Sequence, residues 1–232
     1  SGRDGQDITM SVVLPDTSSP KKHLLIHIAA TLAVANALDE AVRLETNQGE
    51  PHPIFRIKLP NDVRVDVGSH FGKICGSLGV GALNEDIKRE HALRGWRYPD
   101  DYLVMGIGIN LSNEVLSRPE GLRFPASSLE FVTGRVFRRE LILGLVLRNL
   151  DEMLRLTEGN PALLLQKAQA KLALGAGGAA ILDTRGGFSD SVVVLELGED
   201  GLRFLHRGEL KTVPVEDILR LYPEEPTLPF LR

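Results

Sequence analysis

With 232 residues, 43% of them hydrophobic and 25% charged, the chain is long enough for one large or two small cores. A net charge of −4 argues against a general nucleic-acid binder, which needs a basic face to displace counterions. One cysteine, Cys75, excludes an internal disulfide and a cysteine-built zinc site. No run of about 18 apolar residues escapes charged or polar breaks, so no membrane span is expected. The polar start, residues 1–7, holds no signal-peptide core, and a reducing, cytoplasm-like compartment is the expected location.

Residues 8–14 are rich in β-branched side chains and read as a strand. The clearest helix covers 24–44, where Leu24, Leu25, Ile28, Leu32, Ala35, Leu38 and Val42 recur at three- and four-residue steps. His23 and His27 near its start have no ligand partners at metal spacing and read as surface or interface histidines. A polar loop leads to the stretch 56–66, a short apolar strand ending in Lys58, Asn61 and Asp62 around a Pro60 turn. Strands follow at 72–78 and 103–111. Between them, 82–101 is densely charged and reads as a solvated excursion carrying the single tryptophan, Trp96. Helices are expected at 137–156, with Leu141, Leu145, Leu150 and Leu154 as the apolar stripe, and at 161–174. After a glycine-rich step at 175–178 come short strands at 180–182, 191–197, 201–206 and 209–213, with a hairpin signal at Glu199-Asp200-Gly201. The step marks a boundary between a domain of residues 1–174 and a small β-domain of 175–232.

A lysine leaving a buried strand is costly without an anionic partner. Lys58 therefore meets a ligand carboxylate or phosphate, or snorkels to the surface, or pairs with Asp62. Gly106 and Gly108 alternate in a strand, so both lie on one face and leave it bare where a flat ligand could approach, with Asn110 at the same face. A barrel-like bend or tight packing on a helix is the other reading of those glycines. Gly76 repeats the theme and Lys73 adds a second cation. Together these residues suit a nucleotide or an activated carboxylate. No P-loop and no nucleophile set is present in the sequence.

These stretches resemble the motifs of the biotin–protein ligases. That family's Lys-Trp-Pro-Asn-Asp is similar to Lys58-Leu59-Pro60-Asn61-Asp62. Its Lys-x-x-Gly-Ile-Leu is similar to Lys73-Ile74-Cys75-Gly76-Ser77-Leu78, its Gly-x-Gly-x-Asn to 106–110, and its Ala-Thr-Ser-Leu to Ala126-Ser127-Ser128-Leu129. The four occur in the family's order and, with the Ala/Leu-rich helix and the terminal β-domain, cover nearly the whole chain. The resemblance implies an α+β fold: a class II synthetase-like mixed sheet backed by helices, with a C-terminal SH3-like β-barrel that helps hold ATP and the carrier protein. It implies activation of biotin by ATP and Mg²⁺ to biotinyl-5'-AMP, then transfer to a lysine of a biotin carboxyl carrier domain. Lys58 would be catalytic, binding the biotin carboxylate and the α-phosphate. Asn61, Asp62, Lys73, Gly76, Gly106, Gly108, Asn110 and Ser128 would bind substrate or nucleotide, with Mg²⁺ carried by ATP and no metal held by the protein alone. A homodimer through sheet edges is a further expectation; nucleic acid and membrane are not expected partners.

Three departures are visible. Leu59 stands for the usual tryptophan and changes one wall of the site. Ser77-Leu78-Gly79 stands for a more apolar run. Only 1–7 precede the first strand, where the family has a Gly-Arg-Gly-Arg-type loop that closes over the adenylate, so a truncated or loop-less, weakly active form is expected. The family's DNA-binding domain has no counterpart, so no repressor role is expected. Two other readings stand beside the ligase: a non-catalytic relative that binds a ligand or partner, and a lipoate–protein ligase.

Overall fold

The computed structural model describes residues 7–15, 19–46, 52–67, 70–81, 93, 102–112 and 127–223. Residues 1–6, Trp96 and nearly all of the 82–101 excursion lie outside them, as does Ala126 of the last motif.

The first sheet contains β1 (Ile8–Pro15), β2 (Ile54–Lys58), β3 (Asp62–Val67), β4 (His70–Gly81) and β5 (Tyr102–Ile109), in the order β1-β5-β4-β3-β2. Every ladder in it is antiparallel, where a mixed sheet was expected. The cause is local. The β2–β3 connection is a tight turn and β3–β4 a short one, so the chain reverses at these steps; among the described residues the one parallel contact is an isolated bridge from Ile57 to Leu172.

Helix α1 (Pro20–Glu45) begins with proline in its first turn, where the missing N–H costs nothing. It is buried almost all round: Ile28, Ala29, Leu32, Ala33, Ala35, Ala37, Leu38 and Ala41 expose no surface. One side packs on β2, β3 and β4, the other on α3 (Arg139–Gly159) and α4 (Pro161–Lys171). A helix covered on both sides needs apolar residues on both. By length and composition α1 could cross a bilayer, and 78% of its apolar window is buried inside the fold instead. The α3 stripe is Ile142, Leu145, Val146, Asn149, Leu150, Met153 and Thr157; of the expected leucines, Leu145 and Leu150 belong to it, and Leu141 and Leu154 sit only partly buried at its margin. A short helix, α2 (Leu129–Thr133), precedes α3.

The second sheet is built from β6 (Ala179–Thr184), β7 (Ser189–Gly198), β8 (Gly201–His206), β9 (Glu209–Val213) and β10 (Ile218–Tyr222), in the order β10-β6-β7-β8-β9. It is open, with β10 and β9 at opposite edges and no ladder between them, where a closed barrel was expected. The β7–β8 turn falls at the expected Glu-Asp-Gly, and Gly201 has φ +128° with its α-carbon against the Val213 backbone, which leaves no room for a side chain. The strand β10 carries no sequence signal of comparable strength.

The two sheets are joined at the Pro60 turn. The Ile57 carbonyl accepts from Ala173 N at 2.8 Å, and the Leu59 carbonyl accepts from Leu221 N at 3.2 Å. One hydrophobic cluster runs through both parts, including Ile57, Leu59, Leu172, Leu182 and Leu221.

Candidate functional site

Period-two alternation sorts the first sheet into two faces. Phe55, Ile57, Val63, Val65, Leu103, Met105, Ile107 and Ile109 are at most 1% exposed and belong to the core with α1. The residues between them make the opposite face, which includes Lys58, Asp62, Gly106 and Gly108.

The ladders place Lys58 opposite Asp62, Asp62 opposite Gly76, Gly76 opposite Gly108, and Gly108 opposite Thr9. Residues from four separated stretches of sequence thus form one cross-strand row, and directly opposed residues share a face. Gly106 lies one pleat further along, opposite Leu78. Two successive glycines from β5 and one from β4 keep this part of the face low.

At the end of the row the Lys58 ammonium donates to Asp62 Oδ2 at 2.7 Å, with 12% and 11% of the two side chains exposed. Of the readings open for Lys58, pairing with Asp62 is the one observed. The pair closes the β2–β3 hairpin, whose turn contains a cis Leu59–Pro60 peptide and half-buried Asn61. Leu59 is 1% exposed and belongs to the hydrophobic cluster.

The next row runs Arg56, Arg64, Lys73. Arg64 is 1% exposed, among the largest buried side chains. It was not singled out from the sequence, where Val-Arg-Val-Asp reads as plain solvent alternation; its burial comes from tertiary packing. Lys58, Arg56 and Arg64 thus lie on the same sheet face as Asp62, with the Arg56 guanidinium donating to the Ala170 carbonyl at 3.3 Å.

Beyond Gly108, Asn110 turns its amide to the Ser127 carbonyl at 3.1 Å, and its own carbonyl accepts from Leu129 N at 3.0 Å. Ser128 is fully buried and its Oγ accepts from Phe131 N at 3.3 Å, capping α2. Asn110 and Ser128 therefore meet at the end of β5, held to each other by backbone. A second anchor was not foreseen: Asp7 Oδ1 accepts from Leu111 N at 2.8 Å and from Ser112 N at 3.3 Å, tying the chain before β1 to the exit of β5. A carboxylate just ahead of a strand is the signal it left.

The overall arrangement matches solved structures. Over 93% of this chain and 78% of the other, it superposes on biotin protein ligase from Aquifex aeolicus in complex with biotin and ATP, with a TM-score of 0.64 and 23% identity. The chain has the biotin protein ligase fold. A biotin protein ligase-like protein of unknown function from Silicibacter sp. TM1040 shares it at TM-score 0.61 and 16% identity, over 92% of this chain and 81% of that one. In sequence, the chain is 28% identical over 138 residues to the bifunctional ligase/repressor BirA of Bacillus subtilis (strain 168). That match spans 59% of this chain and about a third, 34%, of the curated relative. No family model matches the chain. On this fold, the motif residues of β2, β3, β4 and β5 occupy adjacent positions of one sheet face.

Among the described residues no group of three His, Cys, Asp or Glu side chains is placed to hold a metal ion.

Proposed function

We propose that the chain is a biotin–protein ligase, and the observation that carries this reading is the row Lys58, Asp62, Gly76, Gly108. In the first step a carboxylate oxygen of biotin attacks the α-phosphorus of ATP, the bond to the β-phosphate breaks, and pyrophosphate leaves. In the second the neutral amine of a carrier-domain lysine attacks the acyl carbon, AMP leaves with the bonding electrons, and the amine's proton passes to solvent or a nearby base.

The glycines supply a low sheet face for the adenylate. Lys58, fixed by Asp62, offers a cation where charge accumulates on the α-phosphate and the biotin carboxylate. Arg56, Arg64 and Lys73 raise the local positive potential, which favours a polyanionic substrate. Asn61, Asn110 and Ser128 hold the strand ends and the α2 turn beside the nucleotide. Mg²⁺ enters with ATP and offsets the charge of its phosphates. The second sheet, pinned to the Pro60 turn, would help hold the carrier.

The test is formation of labelled biotinyl-AMP from biotin, ATP and Mg²⁺. Adenylate formed by the wild type and lost in Lys58→Ala is the expected result. Unimpaired adenylate formation by that variant would remove Lys58 from its role. Biotin binding without pyrophosphate release would identify a non-catalytic relative, and preference for lipoate in competition would reassign the substrate.

A further inference from the structure

Strand β1 supplies two side chains to the glycine face that the ligase reading leaves unused. Ladder partners share a face, so Thr9, opposite Gly108, and Ser11, opposite Gly106, project on the same side as Lys58 and Asp62. Their neighbours turn the other way: Ile8 is buried, and Met10 and Val12 pack against the core. Thr9 and Ser11 themselves are exposed. A glycine adds no side chain to the surface, so these hydroxyls stand at one end of the low patch as the Lys58–Asp62 pair stands at the other. The Lys58 ammonium is held at Asp62 on β3, three strands from β1, and three strand spacings are about 14 Å.

The spacing of the two hydroxyls also selects a chemistry. Side chains two residues apart on a strand stand about 7 Å from each other. The two N–H bonds of a five-membered cyclic urea diverge, so oxygens that accept from both stand about 7 Å apart as well. Serine and threonine hydroxyls accept such bonds. A dithiolane ring has no N–H to donate. A five-carbon acid chain on a ring fused to the urea covers most of the span to the ammonium, with hydrogen bonds of about 3 Å closing each end.

We propose that Thr9 and Ser11 are specificity-determining residues: they accept the two N–H bonds of the cyclic urea and so select an acid with that head group over one that ends in a dithiolane. The proposal rests on the ligase reading for the carboxylate at Lys58, and it names the side chains that choose the acid.

Adenylate formation tests it, comparing wild type with Thr9→Val/Ser11→Ala, which removes both hydroxyls with little change of size. Biotin and dethiobiotin carry the cyclic urea, and lipoate does not. In the double variant the KM for biotin and for dethiobiotin should rise roughly thirtyfold, as expected for two neutral hydrogen bonds, with kcat and the KM for ATP little changed. Turnover of lipoate should not respond to the substitutions. Thr9→Ser keeps a hydroxyl and should stay close to wild type. An unchanged KM for biotin, an equal loss with lipoate, or a wild type that prefers lipoate overturns the proposal. A wild type that makes no adenylate ends the ligase reading instead, and the hydroxyls are then read by equilibrium binding of labelled biotin. Binding that weakens roughly thirtyfold in the double variant supports the proposal. Equal binding by both proteins, or none by the wild type, overturns it.

Discussion

Lys58 Nζ lies 2.7 Å from Asp62 Oδ2, and the same two residues are direct cross-strand partners where β2 and β3 close their hairpin. The ion pair and the ladder reinforce one geometry. Each side chain is nearly buried, so removing one charge takes away a charge-assisted bond made at 2.7 Å in a poorly solvated place. Asp62→Asn should therefore cost about 3 kcal/mol of stability in urea unfolding, whereas Lys58→Met/Asp62→Leu should cost much less than the sum of the single changes. Additive losses would show that the two charges are not coupled.

Ser128 presents a different balance between structure and ligand. Its Oγ is committed to Phe131 N, as the cap of a five-residue helix. Ser128→Ala should cost about 1 kcal/mol, the usual loss for a removed cap. Ser128→Asp, another good capping residue, should recover much of that stability. If biotin or ATP affinity falls in Ser128→Ala and returns in Ser128→Asp, the residue acts on the site through α2. If affinity is unchanged in both, Ser128 leaves the list of site residues.

In the second sheet, Asp190 accepts from His206 Nε2 at 2.8 Å, from Ser191 N, and from Arg207 Nη2 at 3.2 Å. These hold its carboxyl below the ordinary value of 3.8, the His206 hydrogen bond contributing most. A depressed carboxyl stabilises the fold above the unfolded value and loses that contribution as pH falls through the folded one. Acid unfolding followed by circular dichroism should thus show extra destabilisation below about pH 4, absent in Asp190→Asn. A variant with the same acid limb as wild type would contradict it.

What the sequence made legible, and what it hid, follows from how local each feature is. The strands with alternating apolar residues and the glycine-marked turns were readable because their causes lie within a few residues, as in the Glu199-Asp200-Gly201 hairpin. The motif residues could be named from spacing and family likeness. Their alignment into a row could not, because it depends on the β3–β4 and β4–β5 registers, and β4 shifts register against both neighbours. Arg64 was hidden for a related reason: nothing adjacent in sequence tells a buried arginine from a solvated one. Of the expected α3 stripe, Leu145 and Leu150 are buried while Leu141 and Leu154 are only partly so; Ile142, Val146 and Met153 complete the buried face. β10 was missed because five residues between turns carry little signal until Leu221 pairs with Leu182 on β6 and its N–H reaches Leu59.

His27 ties the junction of the two sheets to pH. Burial, and then the neighbouring His23, lower its pKa from 6.5, so the folded protein resists protonating it while the unfolded chain does not. The unfolded state then binds more protons below about pH 6.5, and stability falls with pH from there down to the folded pKa, below which the difference is constant. The groups that border a cavity with it, His23, Arg185, Glu216 and Asp217, set the local field without reversing that sign. Replacing the ring with a neutral, hydrogen-bonding side chain in His27→Gln should flatten the stability profile below about pH 6.5 in urea unfolding, relative to wild type. If the two profiles stay parallel across that range, His27 is not the group that senses the proton, and the slope belongs to another part of the molecule.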